Sequence, residues 1–267
     1  MSFTRPACGS ASVHGPLWGA RGSDWAEVQE RFARPLYETV LARTAVGAGT
    51  AVLDIGCGAG LFCTLAAERG ALVCGLDASD ALVAIARRRV ARGAFQVGEM
   101  ETLPHADRTF DVVTGLNAFQ FASRPVAALA EARRVARPHA AVVVATWGKP
   151  ERVEAAQYVA AVRSLLPPAP PGASGPFALS ADGALEAFAR DAGLTPRGVE
   201  EVECPFEYPD LGTALRGLLS AGPAVRAIQG SGEDRVRDVV VRALAPYRLL
   251  SGGYRLENSV LMMVATA

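Results

Sequence analysis

A chain of 267 residues can bury one sizeable core with elaborations, and its 50% hydrophobic and 20% charged residues are those of a folded globular protein, which excludes a wholly disordered chain. Its 27 basic residues are matched by 27 acidic ones without a run of five or six like charges, so nothing resembles a phosphate-binding arm and a nucleic-acid partner is disfavoured. The five cysteines, at 8, 57, 63, 74 and 204, form no CxxC pair and no cluster with the histidines, which argues against a disulfide framework and against a metal site.

In chain order, the N-terminus shows no basic stretch leading into an apolar run, and no segment approaches 18 uninterrupted apolar residues; the expectation is a cytoplasmic protein without a membrane partner. Trp25, Val28, Phe32, Leu36 and Val40 recur at three- and four-residue steps and predict an amphipathic helix over 24–45, capped by Ser23 or Asp24. A strand over 51–55 runs into Gly56-Cys57-Gly58-Ala59-Gly60, followed by a helix to Gly70, a strand over 71–77, a helix over 80–92 capped by Ser79 and a strand over 94–98. The same alternation gives a strand over 110–115, a helix over 124–136 with Pro125 in its first turn and an apolar strand over 140–147. Strands this apolar are covered on both faces, which implies a parallel sheet.

Beyond Trp147 the rhythm loosens. A helix is expected over 151–166, a Pro/Gly linker over 167–176, a helix over 181–192, a sixth strand over 195–207 and a seventh over 255–266, with helices near 211–220, 223–229 and 233–245 between them. The predicted class is α/β, a Rossmann-like doubly wound seven-stranded sheet, mostly parallel, with its last strand antiparallel and with helical lid elements. Residues 1–49 read as an N-terminal helical segment, and 50–267 as the main domain with a helical insertion at about 210–248.

The chemistry points to the carboxyl end of the first strand, where open parallel sheets bind ligands. Glycines there let backbone approach a ligand closely. The GxGxxG spacing of dinucleotide folds fails, because Leu61 stands at the third glycine. Asp54, just before the bend, would repel a pyrophosphate but attract a ligand carrying an ammonium and a sulfonium. Asp77 closes the second strand, where an acid in such folds hydrogen-bonds ribose hydroxyls, so a nucleoside is expected.

These residues sit in VLDIGCGAG, GLDAS, GEMETLPHADRTFDVVTGLNAFQF and RVARP, a series over residues 50–147 that resembles the successive motifs of class I S-adenosylmethionine-dependent methyltransferases, in particular the UbiE-like, or type 11, group. The resemblance implies S-adenosyl-L-methionine as cofactor and S-adenosyl-L-homocysteine as product. By the same resemblance Gly56, Cys57, Gly58 and Gly60 line the methionine part with Asp54 at its amine, Asp77 holds the ribose, Ala78 and Met100 border the adenine, and Glu99 reads its amino group. Asn117 would lie beside the transferable methyl. The turn 98–101 reads Gly-Glu-Met-Glu where the family often has Gly-Asp-Ala-Glu, and Pro138-His139-Ala140 replaces a common glycine turn.

The expected reaction is direct displacement of the methyl group onto a small-molecule acceptor at oxygen or nitrogen. A cofactor-binding protein with another reaction or a regulatory role is the alternative, and a nicotinamide oxidoreductase is a third reading. No catalytic residue is fixed by a motif. His14, Asn117 and Gln120 are candidates, with Tyr158, Tyr208 and Tyr254 as further hydroxyls for a base, while His105 and His139 read as loop residues. Phe119 and Phe121 are either an aromatic wall or core.

Overall fold

The structure, a computed structural model, describes residues 9–168 and 175–267. Cys8 and most of the expected 167–176 linker fall outside the described residues.

The chain opens with α1 (Ala11–Gly19) and the single turn α2 (Gly22–Asp24), then winds through a π turn at Trp25–Gln29 and a 3-10 turn at Glu30–Ala33 into α3 (Arg34–Arg43). The sheet region follows as β1 (Ala51–Ile55), α4 (Leu61–Glu68), β2 (Leu72–Asp77), α5 (Asp80–Arg89), β3 (Ala94–Val97), β4 (Phe110–Leu116), α6 (Pro125–Val135) and β5 (Ala136–Trp147). The remainder is α7 (Ala155–Arg163), α8 (Ala184–Asp191), β6 (Thr195–Glu203), β7 (Phe206–Tyr208), α9 (Leu211–Leu218), α10 (Gly222–Ser231), α11 (Glu233–Leu244), β8 (Tyr254–Leu256) and β9 (Ser259–Thr266).

Seven strands form one sheet in the order β3-β2-β1-β4-β5-β9-β6, in which β1 to β5 are parallel and β9 runs antiparallel to both β5 and β6. The two-residue period of a strand distributes the core. Val52, Val112 and Val143 pack with α3, α4 and α5 on one face. Their neighbours Leu53, Val113 and Val142 pack with α6 and α8 on the other. A third cluster joins Phe32, Tyr158, Phe206 and Leu218 with the inner faces of α9, α10 and α11, beside the end of β5.

Several expectations change. The helix expected over 24–45 is one helical run of three windings. The strand expected over 195–207 breaks at Cys204 and Pro205, and the one over 255–266 breaks at Glu257 and Asn258; the outer pieces pair with each other as a separate sheet of β7 and β8. Proline has no N–H for a ladder. Asn258 draws the chain aside, its Oδ1 accepting from Ala155 N at 2.9 Å and its Nδ2 donating to Leu256 O at 3.1 Å. Strand β5 begins at Ala136, ahead of the expected 140, with a register shift between Phe110 and Val112 opposite. Ser79 does cap α5, its Oγ accepting from Leu82 N at 3.3 Å.

Candidate functional site

The sheet order reverses between β1 and β4, and the crevice between their carboxyl ends is where open α/β sheets hold ligands. The chain leaves β1 through two left-handed residues, Gly56 at φ 74° and Gly58 at φ 54°. At Gly56 the absence of a side chain is obligatory twice over, since a Cβ there would sit 2.6 Å from Ala118 Cβ. Gly60 is also left-handed, but what it accommodates is α5: a Cβ would stand 2.8 Å from Ala86 Cβ, and the residue does not border the crevice. On the β4 side Asn117 adopts φ 56°, a conformation asparagine tolerates better than most, and hands its amide to Ala145 O at 2.9 Å.

Asp77, at the end of β2, is half-buried among backbone donors and borders the crevice. Its Oδ2 accepts from Gly58 N at 2.9 Å and its Oδ1 from Ser79 N at 2.8 Å, so the carboxylate is fixed against the glycine bend. Burial raises its pKa, and the backbone amides oppose that rise.

Asp54 lies elsewhere than its sequence position suggested. Strand alternation places it on the face of Val52, beneath α4, where Thr114 Oγ1 donates to it at 2.7 Å and Cys63 Sγ lies 3.9 Å away. It does not border the crevice, and burial pushes its pKa up to about 7, against the opposing bond from Thr114. The carboxylate that does face the glycine bend is Glu30, which accepts from Leu61 N at 3.3 Å and pairs with Arg89. Arg89 also donates to Ala59 O at 3.0 Å and Ala26 O at 2.8 Å, tying the N-terminal helical run to the bend. Sequence reasoning missed Glu30. Its one available signal was an acid set in a helical run whose apolar stripe covers the sheet.

Glu99 is engaged by the N-terminal segment. It accepts from Ala11 N at 2.9 Å and Ser10 Oγ at 3.0 Å, and it borders only a small side chamber with Met100, Ala78 and His14. Helix α1 consequently lies across Ala78 and Ser79. Its glycines make this possible, for a Cβ on Gly15 would come within 2.2 Å of Ala78 O and one on Gly19 within 2.6 Å of Ser79 Oγ. Glu101, the next acid of that turn, holds the chain entering α6, accepting from Ser123 N at 2.7 Å and Arg124 N at 3.1 Å.

The crevice opens into a chamber of about 220 Å³. Gly56, Cys57, Gly58, Asp77, Ala78 and Met100 border one end; the far end is walled by Phe32, Trp147, Phe206, Tyr158, Leu218 and Val260. His14, Asn117, Gln120 and Phe121 also line it, with Gln120 Nε2 donating to Asn117 Oδ1 at 3.4 Å and the His14 ring 5.3 Å from that of Phe121. Phe119 is core instead. Burial lowers the His14 pKa, helped by Arg226 and opposed by Glu99, which favours the uncharged imidazole.

Tyr158 donates its hydroxyl to Leu218 O at 2.7 Å, and Tyr208, outside the chamber, donates to Gln29 Oε1 at 2.8 Å; burial holds both phenols protonated. Neither is a ready base. Tyr254, His105 and His139 do not border the chamber.

These residues suit a nucleoside that carries a positive centre. A close-approach glycine bend, a carboxylate fixed by backbone amides, and a second carboxylate at the bend occur together at one end of a chamber whose other end is apolar.

Residues 53–144 match the family described as a methyltransferase domain, Methyltransf_11. The chain is 31% identical over 188 residues to a malonyl-[acyl-carrier protein] O-methyltransferase of Erwinia pyrifoliae, covering 69% of this chain and 66% of that one. It is 27% identical over 187 residues to a ubiquinone biosynthesis O-methyltransferase of Pseudomonas paraeruginosa, covering 68% and 79%. Against several other curated relatives the match spans about half of their length or less, 51% and 44% in two cases. Among solved structures, the YcgJ protein of Bacillus subtilis superposes with a TM-score of 0.58 at 20% identity, covering 86% of this chain and 97% of that one, which shows the shared fold.

Proposed function

We propose that this chain, which belongs to the class I S-adenosylmethionine-dependent methyltransferases and to their type 11 group, moves a methyl group onto an oxygen or nitrogen of a small-molecule acceptor. The observation that carries the reading is Asp77, held by Gly58 and Ser79 at the rim of a glycine bend, in one chamber with an apolar far wall. One end is polar and shaped for a nucleoside. The other is suited to an acceptor.

Bound S-adenosylmethionine supplies an activated methyl group on a sulfonium, so the protein's task is alignment and exclusion of water. Asp77 would accept from the ribose hydroxyls, Gly56 and Gly58 would admit the methionine part, Glu30 would face its ammonium, and Ala78 and Met100 would flank the adenine. Asn117 lines the chamber, its side chain steadied by Gln120. His14, which borders the chamber and whose burial favours the uncharged imidazole, would take a proton from an acceptor hydroxyl at an imidazole nitrogen. Residues 9–22 act as a lid over the nucleoside end, supported by the contacts of Glu99 with Ser10 and Ala11 and of Gly15 with Ala78. The names of the two relatives quoted above support an oxygen acceptor.

Calorimetric titration with S-adenosylmethionine and with NADH tests the assignment. Heat of binding is expected for the first alone. Incubation with methyl-labelled cofactor and a metabolite extract should then yield a labelled small molecule. Binding of NADH in preference, or absence of any labelled product, would overturn the proposal.

A further inference from the structure

The far end of the chamber has a composition that selects among acceptors. Phe32, Trp147 and Phe206 meet there, with Phe32 and Phe206 centroids 5.2 Å apart and Trp147 6.1 Å from Phe206. Tyr158 adds a fourth ring whose hydroxyl is already bonded to Leu218 O. No arginine or lysine borders the chamber among the described residues. A ligand carboxylate placed against this wall would lose its water without gaining a cation or a set of donors.

One polar group is fixed in that setting. Gln29 is buried and borders the chamber; its Oε1 accepts from the Tyr208 hydroxyl at 2.8 Å. Tyr208 does not border the chamber, and with Oε1 engaged by it the Gln29 Nε2 has no hydrogen bond to any described residue. The side chain is held from a second side by α9. A Cβ on Gly217 would fall 2.7 Å from Gln29 Oε1, so the glycine is what lets the helix approach and pin the amide. An amide N–H₂ facing an apolar chamber gains from any ligand oxygen that accepts a bond.

Building on the methyl-transfer reading, we infer that the acceptor is an uncharged molecule with a flat, apolar body, that an oxygen of it accepts a hydrogen bond from Gln29 Nε2, and that Tyr208 is the positioning residue which sets the direction of that amide. The rings select shape, Gln29 selects a hydrogen-bond acceptor, and the missing cation rejects free acids. Gln29 is thus a specificity-determining residue. It sits on the apolar stripe of its helical run, four residues after Trp25, where a polar side chain has no solvent to face.

The test uses the full chain saturated with S-adenosylhomocysteine, whose binding is measured first by calorimetry. Probes are naphthols, hydroxyflavones and hydroxyanthraquinones, each beside a counterpart bearing one carboxylate, with malonyl-pantetheine as an aliphatic acid. Binding is read from quenching of tryptophan fluorescence. At least one neutral probe is expected to bind ten-fold or more tightly than its carboxylated partner. Gln29→Leu should weaken it ten-fold while leaving its oxygen-free analogue within two-fold, and Tyr208→Phe should reduce the same discrimination partway.

If no neutral probe outcompetes its acid, if malonyl-pantetheine binds as tightly, or if Gln29→Leu weakens both analogues alike, the inference is wrong. Variants enter the comparison through their ratio between analogues, a quantity that general loosening of the fold does not shift. Failure of S-adenosylhomocysteine itself to bind would count against the methyl-transfer reading and is scored separately.

Discussion

The carboxylate of Glu99 accepts a hydrogen bond from the backbone amide of Ala11 at 2.9 Å, joining the turn after β3 to the first residue of α1 across 88 positions of sequence. A carboxylate at a helix N-terminus also interacts favourably with the helix dipole. Removing it in Glu99→Ala should loosen α1 by about 1.5 kcal/mol, the lower end of the range for a hydrogen bond to a charged group, because the site is only partly buried. Hydrogen exchange over residues 11–19 is then expected to accelerate about ten-fold while β1, β4 and β5 keep their protection. Unchanged exchange in α1 would contradict the assignment.

Asp77 offers a second test, since its two oxygens are already oriented by Gly58 and Ser79. Asp77→Asn preserves size but replaces one acceptor by a donor. Affinity for S-adenosylhomocysteine should fall by roughly 10- to 100-fold, corresponding to the 1.5–3 kcal/mol of a hydrogen bond to a charged group. A calorimetric Kd within two-fold of the unmodified protein would show that Asp77 does not contact the ligand.

Stability should depend on pH through Asp54. Its native pKa, raised by burial from 3.8 to about 7, exceeds the unfolded value, so between those two pH values the native state holds a proton that the unfolded state has lost. Folding therefore loses stability as pH rises through that window, by about 1.4 kcal/mol per unit at most, and the loss levels off above pH 7. Below pH 4 the effect vanishes. Asp77 and Glu30 both add to the upward shift, while Thr114 and Cys63 oppose it. Urea denaturation of the wild type and of Asp54→Asn from pH 4 to 8 should show the wild type losing stability relative to the variant up to pH 7 and running parallel beyond it. A constant difference would exclude a raised pKa.

Gly60 and Gly49 make a matched pair, with φ of 83° and 80°. A Cβ at Gly60 would lie 2.8 Å from Ala86 Cβ and 3.1 Å from its Cα, whereas one at Gly49 meets nothing within 4 Å. Gly49→Ala should cost about 1 kcal/mol of backbone strain. Gly60→Ala adds overpacking and should cost about 3 kcal/mol. Melting temperatures are expected to drop by roughly 2–4 °C and 6–12 °C respectively.

The parallel sheet and its ligand end were legible because each rested on a local rule. Gly56 and Gly58 announced backbone that only glycine adopts easily, Ser79 announced a helix start, and Asp77 announced the carboxyl end of a strand. Asp54 shows the limit of that legibility. Its position beside the bend was plain, but the direction of its side chain follows from strand alternation and from Thr114 on the neighbouring strand, a contact 60 positions away. The break at Pro205 was hidden because the alternation of Val202, Cys204, Phe206 and Tyr208 runs through it, and the break at Asn258 because the bond that bends the chain there comes from Ala155, 103 positions earlier. Glu30 and Gln29 were absorbed into an apolar helical stripe, and the chamber beside them exists only once β5, β7 and α9 have assembled.

That assembly separates two inheritances within one molecule. The bend, Asp77 and Met100 come from one stretch of under fifty residues, whereas Phe32, Trp147 and Phe206 come from three stretches that touch only in the folded state. Exchange of a single ring can therefore reshape the apolar end of the chamber while the glycine bend and Asp77 stay as they are, so that the two ends are free to diverge separately, one substitution at a time.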